Sequence, residues 1–376
     1  MTGQQSIISE CAGRLERAAE RAAEAGLDAV LVTPGGNLEY LTGYRGSITT
    51  ERITCLVLVP GRDPVVLLPR LERAVAEVAM TGGPQLELVT WDDGEDPLDR
   101  LAALLPDGTG RIGVDAQMWS ERSLGLAARL PQARQVSAGP LLLQLRAVKS
   151  PAELAALAQA AAAIDSVHAR MGEWLRAGRT EREIGADIAA AILGAGHLTV
   201  EFVIVGSGPN GASPHHELSD RVVQPGEPVV VDIGGRMPSG YNSDCTRTYV
   251  VGEPSAEIAA LYAVLQRAQA AQCEAAGAGI TASELDAVGR RIIAEAGYGE
   301  YFLHRTGHGI GLEVHEEPYV VAGSPLPLPA GATFSIEPGI YLPGVGGARI
   351  EDIVACEPGG GRRLNLRPRD LQVLPG

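Results

Sequence analysis

The chain has 376 residues, a net charge of −15, 45% hydrophobic residues and 20% charged residues. That length exceeds one ordinary core, so two domains are expected, with the composition of a soluble globular protein. The negative charge argues against nucleic acid or an anionic membrane surface as partner and leaves carboxylates to spare for cations.

The opening Met1-Thr-Gly-Gln-Gln-Ser lacks the basic and apolar regions of a signal peptide, and no apolar run is long enough to span a bilayer. Cys11, Cys55, Cys245, Cys273 and Cys356 are scattered and form no C-x-x-C pair; they read as reduced thiols in a cytoplasmic protein. Cys245 sits beside Asp244 but reads as a small buried hydrophobe.

An Ala/Glu/Arg helix is predicted over 10–25, stopping at Gly26, and a buried strand over 28–33. Further strands fall at 53–59, 65–68, 86–89 and 111–114, with helices at 71–80, 97–105 and 121–130. This is an α/β domain with a mixed sheet, without a Gly-rich phosphate loop or a nucleophile elbow. Within it, Asn37-Leu-Glu-Tyr-Leu-Thr-Gly-Tyr-Arg45 reads in two ways. It is a strand-to-helix connection with Arg45 in solvent, or a loop presented to a substrate.

The domain break falls at 145–150, giving domains 1–145 and 146–376. Ser150-Pro-Ala-Glu153 is a capping box with Pro at the first helical position, opening a helix to about 174. Thr180-Glu-Arg-Glu183 opens a second helix that runs out at Gly194 and Gly196. A strand over 199–205 and a long loop then lead to a β-hairpin: an apolar run at 229–233, a turn at 234–240, and a return strand to 251. Asp232 and Asp244 interrupt it.

The pattern then recurs. Helices start at Ser255 and at Thr281-Ala-Ser-Glu284, followed by an extended segment with its loop. Two strands, 333–341 and 348–356, flank the turn Pro343-Gly-Val-Gly-Gly347 and carry Glu337 and Glu351. Each half reads helix, helix, strand, loop, hairpin, and each hairpin holds two acids. A two-fold relation between the halves would bring four carboxylates together.

A buried carboxylate without a partner costs several kcal/mol, so four of them in strand contexts ask for a cation. Arg349 and Glu351, two apart and on one strand face, could instead form an internal ion pair. Histidine adds to the set: five of seven lie between 215 and 315, three of them in His304-Arg-Thr-Gly-His-Gly-Ile-Gly-Leu-Glu-Val-His315. The glycines there rule out a zinc-binding helix of the H-E-x-x-H kind, and those beside His308 would let backbone approach a crowded site. Four carboxylates and one imidazole suit Mn²⁺ better than a thiolate-selected metal and would balance two divalent ions. A metal lowers the pKa of bound water from about 15.7 to about 7, so hydrolysis is the natural reaction.

These residues resemble a known family. Asp232 in Val-Asp-Ile-Gly-Gly, Asp244 in Asn-Ser-Asp-Cys-Thr-Arg-Thr and His308 in Gly-His-Gly-Ile-Gly-Leu-Glu-Val-His-Glu are similar to metal ligands of the pita-bread metallopeptidases. So are Glu337 in Ile-Glu-Pro-Gly-Ile-Tyr and Glu351 in Arg-Ile-Glu-Asp. The family comprises methionine aminopeptidase, aminopeptidase P and prolidase. With the preceding α/β domain and the Lys149-Ser-Pro-Ala-Glu entry helix, the resemblance covers nearly the whole chain and points to the Xaa-Pro branch. It implies an N-terminal creatinase-like α/β domain and an α+β pita-bread domain with a pseudo-two-fold repeat.

The resemblance also implies roles. Asp232 would chelate the first of two metal ions, Mn²⁺ with Co²⁺ or Zn²⁺ as alternatives. Asp244 and Glu351 would bridge both, His308 and Glu337 would complete the second, and Glu337 would accept the proton of the nucleophilic water. His215 and His315 would contact substrate and stabilise the tetrahedral intermediate, with His304 a third pocket histidine. His216 matches no expected role. Arg349, Tyr241 and Arg45 are expected at the substrate, and a homodimer is expected, a neighbouring subunit's loop being another source of a cation for the proline carboxylate. The implied activity is hydrolysis before proline in Xaa-Pro dipeptides or at N-terminal Xaa-Pro of longer peptides. A related hydrolase of a small non-peptide substrate, or a silent interaction module, are the alternatives; metal-free relatives and silent modules should lack ligands, and all five are present. One departure is visible: Asp232 and Asp244 are twelve apart, one more than expected, with the extra residue in the turn at 236–240.

Overall fold

The structure, a computed structural model, describes residues 3–46 and 51–376; Met1 and Thr2 of the opening stretch lie outside the described residues. The chain forms two compact units, one up to Arg146 and one from Ala147.

The N-terminal unit contains α1 (Gly3–Ser9), α2 (Cys11–Glu24), β1 (Ala29–Val32), α3 (Gly36–Thr42), β2 (Cys55–Leu58), β3 (Val65–Pro69), α4 (Arg73–Ala79), β4 (Glu87–Trp91), α5 (Pro97–Ala103), β5 (Arg111–Val114), α6 (Ser120–Arg129), β6 (Arg134–Ser137) and α7 (Gly139–Ala147). The six strands make a mixed sheet in the order β4-β3-β2-β1-β5-β6, with β2 antiparallel to both neighbours and the remaining pairs parallel. Helix α2 forms because Cys11, Leu15, Ala18 and Ala22 recur at helical spacing, and all four are buried. Leu31, Val57, Leu67, Trp91 and Leu126 meet in the core on one side of the sheet.

Residues 37–45 are neither the loop nor the plain strand-to-helix connection expected of them. Most of the segment is α3, with Leu38, Tyr40 and Leu41 buried. Its apolar residues recur at helical spacing, so burial wins over exposure. The helix ends at Gly43, whose φ of 78° is left-handed. Arg45 pairs with Glu39 at 2.9 Å.

In the C-terminal unit the expected capping box of Ser150 with Glu153 opens α8 (Pro151–Ala169), and two further predicted helix starts are capping boxes too: Thr180 with Glu183 opens α9 (Glu181–Gly194), and the third follows below. Strand β7 (Thr199–Ser207) pairs with β8 (Pro228–Arg236), which pairs with β9 (Asn242–Val251). The predicted turn is too long, because Gly234 and Gly235 stay in β8. A Cβ on Gly234 would lie 2.4 Å from the Phe202 ring and 2.6 Å from the Ser243 carbonyl, so glycine here serves close packing.

The second cycle is α10 (Ala256–Ala275), α11 (Ala282–Glu295, capped by Thr281 with Glu284), β10 (Gly307–Gly309), β11 (Glu316–Val320), β12 (Thr333–Ile336), β13 (Gly339–Leu342), β14 (Gly346–Arg349), β15 (Asp352–Glu357), β16 (Gly360–Arg363) and β17 (Gln372–Leu374). The sheets run β17-β9-β8-β7, β11-β10-β12-β15-β16 and β13-β14. Where two continuous strands were expected, each is broken, at Glu337-Pro338 and at Ile350-Glu351. Pro338 has no N–H for a ladder. At the break Glu351 N–H leaves its own hairpin and donates to Thr246 O of β9 at 3.1 Å. The two hairpins are thereby joined. Among the described residues no helix is long and apolar enough to cross a membrane.

Candidate metal centre

Register places the first two acids. Asp232 of β8 lies opposite Thr246 and Asp244 of β9 lies opposite Gly234, so the acids are diagonal neighbours on one face rather than directly opposed. Glu337 and Glu351 sit at the two breaks of the second hairpin, freed from ladder geometry. His308 is the middle residue of β10, its backbone N–H donating to Ser335 Oγ at 2.9 Å; Ser335 Oγ in turn donates to Glu337 Oε1 at 2.9 Å.

Among the described residues, three groups have ligand atoms within 4.8 Å of one another: Asp232, Asp244 and Glu351; His308, Glu337 and Glu351; and Asp244, His308 and His315. Asp244 and Glu351 each belong to two of them. His308 Nε2 lies 3.2 Å from Glu337 and 3.6 Å from Asp244. All five residues line a cavity of about 1430 Å³, together with His215, His216, His304, His315, Arg305 and Arg349.

The electrostatics fit a cation. Asp232 Oδ1, Asp244 Oδ1 and Glu351 Oε1 are buried with no hydrogen-bond partner, a costly state for a carboxylate unless a cation satisfies it. Burial, then the charges of Glu351, Asp232 and Glu337, push the Asp244 carboxyl well above its usual range. Burial and the charges of Glu337 and Asp232 do the same to Glu351. Burial also pushes Glu337 up, but the hydrogen bond and charge of His308 outweigh it and hold it down to about 2. An oxygen-rich set of four carboxylates and one imidazole suits hard or borderline divalent ions.

Arg349 lines the cavity with most of its donors already engaged by the protein. Its guanidinium donates to Asp232 Oδ2 at 2.6 Å, Tyr341 OH at 2.8 Å, Thr246 Oγ1 at 3.2 Å and Pro214 O at 3.3 Å. It pairs with Asp232 of the other hairpin rather than with Glu351, whose Oε2 accepts from Thr246 Oγ1 at 2.7 Å. Tyr241, by contrast, does not line the cavity: it is buried, and its hydroxyl donates to Glu153. Arg45 belongs to the N-terminal unit and its ion pair with Glu39.

The histidines differ. His304 has both ring nitrogens engaged, Nδ1 with Arg305 O at 2.7 Å and Nε2 with Tyr341 OH at 2.8 Å. Because the carbonyl must accept, Nδ1 carries the proton and Nε2 accepts from Tyr341, which accepts from Arg349. A directed chain therefore runs from Arg349 through Tyr341 to His304. His315 packs against His308 with ring centroids 3.8 Å apart and the ring planes tilted by 48°. Desolvation in the cavity, then the nearby His308, bring its pKa down to about 4, leaving it neutral at pH 7. His215 is exposed on the cavity wall.

Sequence reasoning missed Tyr341, Ser335 and Thr246. Tyr341 closes the motif Ile-Glu-Pro-Gly-Ile-Tyr, but a Tyr, Ser or Thr in a strand carries no signal of its own.

The geometry has counterparts among known proteins. The model of metallopeptidase family M24 matches residues 155–358, and that of the creatinase/prolidase N-terminal domain matches residues 14–148. A probable dipeptidase PepE of Mycobacterium tuberculosis is 50% identical over 364 residues, covering 97% of this chain and 96% of that protein. An Xaa-Pro dipeptidase of Lactobacillus delbrueckii subsp. lactis is 37% identical, covering 94% and 96%. The crystal structure of dipeptidase PepE from Mycobacterium ulcerans superimposes with a TM-score of 0.91 at 49% identity, covering 99% of both chains.

Proposed function

This chain belongs to metallopeptidase family M24, with a creatinase-type N-terminal domain before a pita-bread catalytic domain, and from that premise we propose that it is a dinuclear Xaa-Pro dipeptidase. The observation that carries this reading is the convergence of three unpartnered buried carboxylate oxygens, on Asp232, Asp244 and Glu351, beside His308 and Glu337. Asp232, Asp244 and Glu351 would hold one ion, and His308, Glu337 and the shared acids the other. Two divalent ions, Mn²⁺ by the donor chemistry, would supply the Lewis acidity that activates water and polarises the scissile carbonyl.

The rest falls to side chains. Glu337, ionised and held by Ser335, would accept the proton of the attacking water and return it to the proline nitrogen as the bond breaks. His215 and neutral His315 face the cavity as donors to the developing oxyanion. Arg349 fixes Asp232 and Tyr341 from the cavity wall. The names of the relatives, probable dipeptidase and Xaa-Pro dipeptidase, support dipeptides over longer peptides. The cysteines, all buried and free of disulfides, support a reducing, cytoplasmic setting.

The test is metal analysis of natively purified protein, then rates on Xaa-Pro and Xaa-Pro-Xaa substrates with added Mn²⁺. Two metal equivalents and faster cleavage of the dipeptide are expected. A metal-free protein inert to both substrates would overturn the assignment, and faster tripeptide cleavage would move it to the aminopeptidase class.

A further inference from the structure

Glu181, the first residue of α9, is fully buried, and its carboxylate gathers five donors. Ser207 N–H and Oγ donate to Oε1 at 2.8 and 2.6 Å. Asn210 Nδ2 lies 3.0 and 3.1 Å from the two oxygens, His216 Nε2 lies 2.7 Å from Oε2, and Ser219 Oγ also donates to Oε2. These donors come from both sides of His215 in the chain. One carboxylate thus ties together the two ends of the segment that presents His215 to the cavity.

Besides that carboxylate, Ser213 N–H donates to Asn210 O and Arg182 N–H to Ser219 O, both at 3.0 Å, and Leu218 packs on the core. Residues 214–218 belong to no helix or strand. On the preceding side, Pro214 O accepts from Arg349; on the following side, His216 is held by Glu181. The His215 ring stands between the two holds. Burial pulls the Glu181 carboxyl up, but the bonds from Ser207, Ser219 and His216 outweigh it and leave it below its usual range, so it stays ionised to receive them.

We propose that Glu181 and His216 are positioning residues whose hydrogen bond sets the His215 imidazole against the substrate. The proposal rests on the assignment of His215 to substrate above. Neither residue needs to touch the reacting atoms: removing the hold lets a backbone without ladder bonds relax, and a displacement of about 1 Å at a catalytic group costs up to about 100-fold in rate.

The test uses the metal-loaded protein and the His216→Ala and His216→Gln variants, each also in a His215→Ala background. Gln keeps a donor near the Nε2 position. With Xaa-Pro dipeptide, His216→Ala should lower kcat about 10- to 100-fold with KM changed less than about threefold, and His216→Gln should recover most of it. In the His215→Ala background, His216→Ala should cost less than about twofold, since nothing remains to be positioned. Equal losses in both backgrounds, or equal losses for Ala and Gln, would overturn the proposal. Imidazole resonances of the zinc-loaded, ¹⁵N-histidine-labelled protein give a readout without substrate. The His215 signals should move in His216→Ala and stay in His216→Gln; signals unmoved by His216→Ala would also overturn it. If the wild type cleaves no proline dipeptide, the substrate assignment fails while the resonances still decide the clamp.

Discussion

At the scale of residues, the cost of burying a charge decides which side chains need a partner. Asp232 in an apolar run and Glu337 before a proline stand out because burying an acid is costly. Ser335, Thr246 and Tyr341, which orient those acids, do not stand out, because small hydroxyls and tyrosines are ordinary in strands. Nor does a sequence say which histidine is structural. His168 is: it is fully buried, its Nε2–H donates to Cys245 O at 3.0 Å, and its Nδ1 accepts from Tyr249 OH at 2.9 Å. Burial, then the Arg247 charge, lower its pKa from 6.5 to about 3. Between those values the unfolded chain binds a proton that the folded chain refuses. The stability His168 contributes is therefore intact above pH 6.5 and is lost as pH falls toward 3. At pH 5 the loss is about 2 kcal/mol. Denaturant unfolding of the wild type and His168→Gln at pH 7 and pH 5 checks this. The variant should lose about 2 kcal/mol less between the two pH values; parallel losses would place the acid sensitivity elsewhere.

At the scale of elements, local signals with a definite chemistry carried through. The three capping boxes opened their helices, because an S/T-x-x-E pattern satisfies two orphan backbone donors wherever it occurs. Strand ends were less legible. The second hairpin is broken at Glu337 by Pro338, which has no N–H to give, and at Glu351 because its N–H bonds to the other hairpin, a long-range choice that no local pattern records. The glycines around His308 were read as permitting close approach, and β10 shows where. A Cβ on Gly307 would fall 1.8 Å from Ser335 O, and one on Gly309 would fall 2.4 Å from Glu317 O. Strand β10 is thus pressed between β11 and β12. Gly307→Ala must push Ser335 away, and Ser335 orients both His308 and Glu337. We expect a loss of about 1–3 kcal/mol in stability from overpacking and about 10- to 100-fold in metal affinity from the displaced support. Calorimetric metal titration and thermal melts check it; unchanged metal affinity would mean that Ser335 does not transmit the shift.

At the scale of the whole molecule, the repeat of helices and hairpins was legible from matched segments, and the backbone bond that joins the hairpins leaves their four acids gathered together. Asp232 and Asp244 come from one hairpin, Glu337 and Glu351 from the other, and burial with mutual charge pushes Asp244 and Glu351 up when nothing neutralises them. A cation pair would turn that repulsion into cohesion across the domain. Ions bound only by the folded state stabilise it by about 4 kcal/mol at a thousandfold excess over Kd, which for a domain of this size is a melting shift of roughly 10 °C. Chelation should therefore lower the melting temperature of the C-terminal domain by that order, and Mn²⁺ should restore it. The double variant Asp244→Asn, Glu351→Gln removes the repulsion and the site together. It should melt above chelated wild type and ignore added Mn²⁺. If chelated and loaded wild type melted alike, the acids would be held by protein partners alone, and the joining of the two hairpins would rest on backbone contacts such as Glu351 N–H to Thr246 O.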